Sequence, residues 1–384
     1  GQDDLENMPH DTTVEYVLRR SDPDEYEELL AKMVRTLIRK KVLEQYRLLG
    51  MYHVVAIDGV HVHTYHYQHC DKCLRKEDGK GNVLWQHYVL QASLVTANGM
   101  SIPMAHEWIE NEGNYVKQDS ETNAFYRLLK KIRRLYPKLP MCIVLDALYC
   151  NEPVFQAIEK ARMEWIVVFK KGSMSEVYDW CEQNTEMYQK SNCCRERHVE
   201  QIAVRNKRSH TERLMRTKAE NVMRKVETLR EYSWAVNIAH WNNERVYNTF
   251  SCKDTRDGKV LCNYKWLCSA EIAEKINRQT IAEIANNGGR CRWKIENQGN
   301  NMLKHGGYNL EHPYSKDEVA GKCWYALIMI AHIINQLIEK GSLIAKVAFG
   351  SIREIATRMY EHLRYLRFEK PPIIPNIQIR LDSS

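Results

Sequence analysis

His53-Val54-Val55-Ala56-Ile57-Asp58 is the stretch on which the fold reading turns. An unbroken run of β-branched and small apolar residues, closed by Gly59, predicts a short strand buried on both faces. It ends in an acid. A carboxylate at the end of a core strand is costly unless a partner neutralises it or it holds a cation. The same pattern returns at Met141-Cys142-Ile143-Val144-Leu145-Asp146, a second apolar strand ending in Asp.

The segments around these two runs set the topology. Residues 85–95 and 102–108 read as strands joined at Ala97-Asn98-Gly99, a tight-turn signal, so the first three strands form an antiparallel meander. Asp119-Ser120 caps a helix over 122–136, whose Phe125, Leu128, Leu129, Ile132 and Leu135 make one apolar stripe. Pro137 and Pro140 end it before the second Asp strand. Glu152-Pro153 opens another helix, and 165–169 is a fifth strand. Strand, strand, strand, helix, strand, helix, strand is the ribonuclease H-like order. The expected fold class is therefore α/β: a ribonuclease H-like mixed sheet flanked by helices, with its apolar first, fourth and fifth strands at the centre. In that order the first and fourth strands are neighbours. Asp58 and Asp146 would face each other, and two carboxylates that close repel unless a cation lies between them.

After Lys170-Lys171-Gly172 the pattern changes. Residues 173–232 are polar and basic, and 233–238, 244–251 and 259–269 read as strands, with Asp257-Gly258 as a hairpin turn. The expected organisation is a helical lead-in over 1–50, a catalytic domain over 51–172 and 275–345, a mainly β insertion over 173–274, and a helix and extended tail over 346–384. Residues 1–20 read as a mobile acidic lead-in, and 24–49 as a support helix or the remnant of a larger N-terminal domain. A long apolar helix is expected over 316–340 and a shorter one over 351–366.

The insertion is followed by Gly288-Gly289-Arg290-Cys291-Arg292-Trp293-Lys294-Ile295-Glu296-Asn297-Gln298-Gly299-Asn300-Asn301-Met302-Leu303-Lys304, bounded by Gly306-Gly307, which reads as one helix. Arg292, Glu296, Asn300 and Lys304 are four apart and share a face. A solvated, salt-bridged helix explains that face by itself. The two strand-end aspartates earlier in the chain give Glu296 a second reading as a third metal ligand. Three such carboxylates suit two Mg²⁺ or Mn²⁺ ions and phosphodiester chemistry without a side-chain nucleophile.

The residues around Asp58, Asp146 and Arg292-x-x-x-Glu296 resemble the DDE transposases of bacterial insertion sequences, in the group with a β-strand insertion before the last acid and a Tyr-Arg-Glu-Lys signature. Ala56-Ile57-Asp58-Gly59, His69-Cys70-Asp71-Lys72-Cys73, Lys117-Gln118-Asp119-Ser120-Glu121, Leu145-Asp146-Ala147-Leu148-Tyr149 and Gly307-Tyr308-Asn309-Leu310-Glu311-His312 resemble a subgroup, and the likeness covers roughly residues 50–335. Gly289 stands at the Tyr position, and Lys304 lies one residue beyond the Lys position. The resemblance implies metal-dependent cleavage of transposon ends and strand transfer into target DNA, with Asp58, Asp146 and Glu296 as ligands. It also implies a homodimer on DNA in the bacterial cytoplasm. Arg292 and Lys304 would grip phosphates near the cut, with Asn300 beside them. A domesticated or inactive protein that only binds DNA, and a nuclease without strand transfer, keep the same fold.

Charge supports a nucleic-acid partner. The net charge is +7, and eleven Lys/Arg fall between Arg195 and Arg230, including Arg205, Lys207 and Arg208, against five Glu. A basic surface face is the plainer account. Trp234, Trp241 and Trp266 are candidates for stacking on a displaced base, or for filling the core of the insertion. We expect Trp293 to be core. Twelve scattered cysteines, no signal-peptide pattern and no long apolar run predict free thiols in a reducing setting and no membrane. Cys70 and Cys73 have zinc-like spacing with His61, His63 and His66 nearby; reduced thiols packed in a loop are the alternative. Helix capping accounts for Asp119 and Glu121.

Overall fold

The computed structural model describes residues 11–112, 115–184, 192–205, 221–239, 245–340 and 357, with backbone alone for 202–205 and 221–222. The chain is a mixed α/β protein whose sheet is largely antiparallel with a parallel pair, flanked by helices. It divides into two compact units. One comprises residues 1–165 and 286–384, the other residues 166–285. Among the described residues no helix is long and apolar enough to cross a membrane.

The first unit is built on β1 (His53–Tyr65), β2 (Leu74–Glu77), β3 (Val83–Val95), β4 (Ser101–Ile109) and β5 (Met141–Leu145). β1 pairs antiparallel with β3, and β3 with both β2 and β4. β1 pairs parallel with β5, in a register of His53 with Met141 through Ala56 with Val144. Val54 to Ile57 and all of β5 are buried, as an unbroken apolar run requires when both faces are covered. The covering helices are α1 (Asp11–Leu18), α2 (Pro23–Arg39), α3 (Glu121–Leu135) and α4 (Glu152–Lys160), together with the segments that follow residue 286. α3 lies against β4 and β3. Ser120 caps it by accepting from Asn123 N, and its Ala124, Phe125, Leu128, Leu129, Ile132 and Leu135 are buried.

The second unit opens within β6 (Glu164–Val168) and holds α5 (Ser175–Gln183), β7 (Cys193–Arg205), β8 (Asn221–Ala239), β9 (Val246–Arg256), β10 (Lys259–Cys268) and α6 (Ala270–Glu274). β10 pairs antiparallel with β6 and β9, β9 with β8, and β8 with β7. The β9–β10 turn is Asp257-Gly258, with φ of 50° and 74°, the left-handed pair a tight hairpin demands. Helix α7 (Glu318–Lys340) of the first unit packs on α2 and β4.

Two expectations change. Asp11–Leu18 is a helix, not a loose lead-in, because Leu18 packs with Ala320 and Cys323 of α7. The 288–304 stretch is not one regular helix. It runs as a π turn (Ile284–Gly288), a 3₁₀ turn (Gly289–Cys291), an α turn (Arg292–Lys294), a second π turn (Ile295–Asn300) and an α turn (Asn301–His305). Gly299 shows why it stays close to the sheet, since a Cβ there would lie 3.0 Å from Ser101 Oγ on β4. The helix expected over 351–366 and the extended tail lie outside the described residues, save residue 357.

Candidate functional site

Asp58 lies two residues beyond Ala56, and Asp146 two beyond Val144, the last pair in the β1–β5 register. The two aspartates therefore stand at the same level of neighbouring parallel strands. Asp146 directly follows β5 and accepts a hydrogen bond from Leu148 N (2.8 Å), which turns the chain into the 3₁₀ turn Ala147–Tyr149. Asn300 comes from the second π turn, and its Nδ2 donates to Asp58 Oδ2 (3.0 Å). Arg292 is buried, with Nη2 3.7 Å from Glu296 Oε2 and its guanidinium 5.3 Å from the Trp293 ring. Trp293 is itself 43% exposed, contrary to its expected place in the core.

A fourth acid joins this group. Glu121, the first residue of α3, accepts from Tyr149 Oη (2.7 Å), and its Oε2 lies 3.1 Å from where a Cβ on Gly59 would stand. Helix capping accounts for it in the sequence, where it also closes the quoted stretch Lys117-Gln118-Asp119-Ser120-Glu121. The electrostatics of Asp58 register all four carboxylates. Burial pushes its pKa up to about 6, and Glu121, Glu296 and Asp146 add to the rise while Arg292 opposes it. Burial and Glu121 likewise hold the Tyr149 phenol well above its usual range. Arg292 Nε and Asn300 Oδ1 are both buried without a hydrogen-bond partner. The cluster thus offers hard oxygen donors beside an unpartnered donor and acceptor, chemistry that fits a divalent cation and an anionic oxygen.

Lys304 is not in this cluster. Its Nζ pairs with Glu311 (2.8 Å), which also lies 3.7 Å from His61 Nδ1. The four-residue face expected from Arg292 to Lys304 fails because the π turn takes more residues per turn than an α turn.

Thiols and imidazoles make a second cluster. Among the described residues, His69, Cys70, Cys73 and His87 are the one group of metal-type side chains whose donor atoms all lie within 4.8 Å of one another. The acid cluster does not close that tightly. Cys70 Sγ is 3.3 Å from Cys73 Sγ, and His87 Nε2 is 3.5 Å and 3.2 Å from the two sulfurs. This set can bind a metal such as zinc. Burial pushes the Cys70 thiol up to about 11 and the His87 imidazole down to about 4, so both are neutral without an ion. His61, His63 and His66, expected as the nearby ligands, do not take part. His61 turns to Glu311, His63 pairs across the sheet from His87, and His66 is exposed. His87 escaped the sequence reading because β2 and its pairing with β3 were not visible there.

The basic segment is interleaved with acids, while its Arg195 and Arg197 stay exposed. On the β7–β8 ribbon Arg195 pairs with Glu231 (2.8 Å) and Arg197 with Glu227 (3.5 Å). Arg230 pairs with Asp254 (3.6 Å) and Arg256 with Glu200 (2.6 Å). Arg205 ends β7 opposite Asn221, while Lys207, Arg208 and Trp241 lie outside the described residues. Trp266 is core rather than a stacking platform, buried between Phe250 and Tyr264 at ring distances of 5.1 Å and 5.5 Å. Trp234 is buried too. No protein-family model matches the chain, and no curated protein matches it.

Proposed function

We propose that this chain is a DDE-type DNA transposase that cleaves transposon ends and transfers the strand into target DNA. The observation that carries the reading is the level placement of Asp58 and Asp146 on neighbouring parallel strands, with Glu296 and Arg292 close enough to alter the charge state of Asp58. The strand order β4-β3-β1-β5, antiparallel up to β1 and parallel across β1 and β5, supports a ribonuclease H-like reading of the first unit.

Asp58, Asp146 and Glu296 would hold two Mg²⁺ or Mn²⁺ ions, which when bound supply an activated water or 3′-hydroxyl and stabilise the leaving oxygen. The rest of the work belongs to this chain's own groups. Asn300 fixes the orientation of the Asp58 carboxylate through its 3.0 Å bond. Arg292 contributes a buried guanidinium whose Nε has no internal partner and can donate to a phosphate oxygen. Tyr149 anchors Glu121 at the back of the cluster. The proposed partners are the terminal-repeat DNA and a target duplex, engaged by a homodimer in the bacterial cytoplasm.

The test is metal-dependent cleavage of the DNA that flanks the protein's own reading frame, followed by joining to a supplied plasmid. Asp58→Asn, Asp146→Asn and Glu296→Gln should each lower cleavage by at least on the order of a hundredfold, with end-DNA binding retained. Cleavage at the unsubstituted rate in any of them would remove that residue from the active site. Binding without cleavage by the unsubstituted protein would favour a protein that only binds DNA. Cleavage without joining would favour a nuclease.

A further inference from the structure

We propose that His69, Cys70, Cys73 and His87 form a closed structural zinc site that pins the loop after β1 to strand β3. The proposal stands apart from the acid cluster and does not depend on what that cluster does.

The ligand chemistry selects the metal. Two thiolates and two imidazoles are a soft, borderline set that favours zinc over the hard ions suited to carboxylates. A tetrahedral zinc with Zn–S of about 2.3 Å and Zn–N of about 2.0 Å needs S···S and S···N separations of roughly 3.5–3.8 Å. The observed 3.2–3.5 Å separations among Cys70, Cys73 and His87 are within a few tenths of an ångström of that, and the His69 donor lies within 4.8 Å of all three. All four positions are filled by protein, leaving no open position for a substrate, which is the arrangement of a structural rather than a catalytic zinc.

The surroundings are built for it. His69 stacks on Tyr65 at 4.4 Å and 15°, which fixes the ring, and its Nδ1 is buried with no hydrogen-bond partner. Asn111 holds the loop from the other side. Its Nδ2 donates to Cys73 O (2.8 Å), and its backbone N donates to Lys72 O (3.1 Å). Cys73 is fully buried. A loop that follows a long strand and buries a cysteine is one that a metal can order. Zinc would replace two thiol protons, which pass to solvent, and would cross-link the 69–73 loop to β3 near the Tyr65–Trp85 end of the β1–β3 pair.

The experiment measures metal content on the full chain purified from zinc-supplemented cells and passed through gel filtration. One zinc per chain is expected. Exchange for Co²⁺ should give a thiolate-to-cobalt charge-transfer band and tetrahedral d–d absorption. Cys73→Ser should lose at least about tenfold in zinc affinity. His87→Cys keeps four ligands and should retain the metal, so loss of zinc through misfolding is separable from loss of a ligand. Cys193→Ser, outside the cluster, should retain it as well. Less than half an equivalent of any metal would overturn the proposal. So would zinc retained in full by Cys73→Ser, iron in place of zinc, or a Cys70–Cys73 disulfide seen as a mass two hydrogens lower.

Discussion

Asp58 shows how one residue can be held against its own chemistry. Its strand is buried, its neighbours are carboxylates, and Arg292 offsets them only in part. A chain that keeps such a residue gains nothing in stability from it, which is the usual mark of a binding or catalytic role. Asn300 makes this testable without touching an acid. Asn300→Ala removes the 3.0 Å bond to Asp58 and should lower cleavage by about 10–100-fold while leaving end-DNA binding unchanged. Equal cleavage in the two proteins would mean that Asp58 needs no orienting partner. Gly299, beside it, is steric in origin. Gly299→Ala puts a methyl 3.0 Å from Ser101 Oγ at a buried contact, and should cost about 1–3 kcal/mol by urea unfolding. Adding Ser101→Ala removes that oxygen and leaves a Cβ at an ordinary 3.7 Å, so the double variant should recover most of the loss. No recovery would place the cost elsewhere.

Among the elements, the 284–305 run has the least regular structure and the most consequence. A π turn holds about one residue more than an α turn, and such turns concentrate at functional sites. The second such turn, Ile295–Asn300, carries both Glu296 and Asn300. Periodicity could not reveal this, because a helix wheel assumes the 3.6-residue repeat that the π turn breaks. The same assumption put Arg292, Glu296, Asn300 and Lys304 on one face. By contrast β1, β5 and the stripe of α3 were legible, since an unbroken apolar run or a 3.6-residue stripe reports burial directly. β2, Leu-Arg-Lys-Glu with three exposed residues, carries no such pattern, and with it went the position of His87. Helix α1 was missed for a similar reason: its single buried residue, Leu18, finds its partners some three hundred residues away in α7. Leu18→Ala should therefore destabilise by about 2 kcal/mol. An unchanged urea midpoint would mean that α1 does not dock.

Over the whole molecule, acid sensitivity follows from histidines that are buried uncharged. His53 and His332 are each 4% or less exposed, and burial lowers both pKa values to about 4. Arg47, with Nε 3.3 Å from His53 Nε2, lowers the first further against the opposing effect of Glu44. His332 faces Tyr308 Oη at 3.4 Å. The unfolded chain takes up these protons near pH 6.5, whereas the folded protein resists them until about pH 4. Between those values the unfolded state binds more protons, so stability falls as pH falls through that window. Glu27 acts lower on the scale. Burial alone would raise its pKa, but His106 and Lys131 outweigh that and lower it, so its contribution is lost only as pH drops below the ordinary Glu range. Each neutral histidine should cost on the order of 1–2 kcal/mol between pH 7.5 and pH 5. The measurement is the urea midpoint at the two pH values for the unsubstituted protein and for His53→Gln with His332→Asn. The pair of substitutions should flatten the slope while leaving His87 intact, which separates this effect from acid release of a metal at the thiol–imidazole cluster. A slope unchanged by both substitutions would move the acid sensitivity to His63, His106 or that cluster instead.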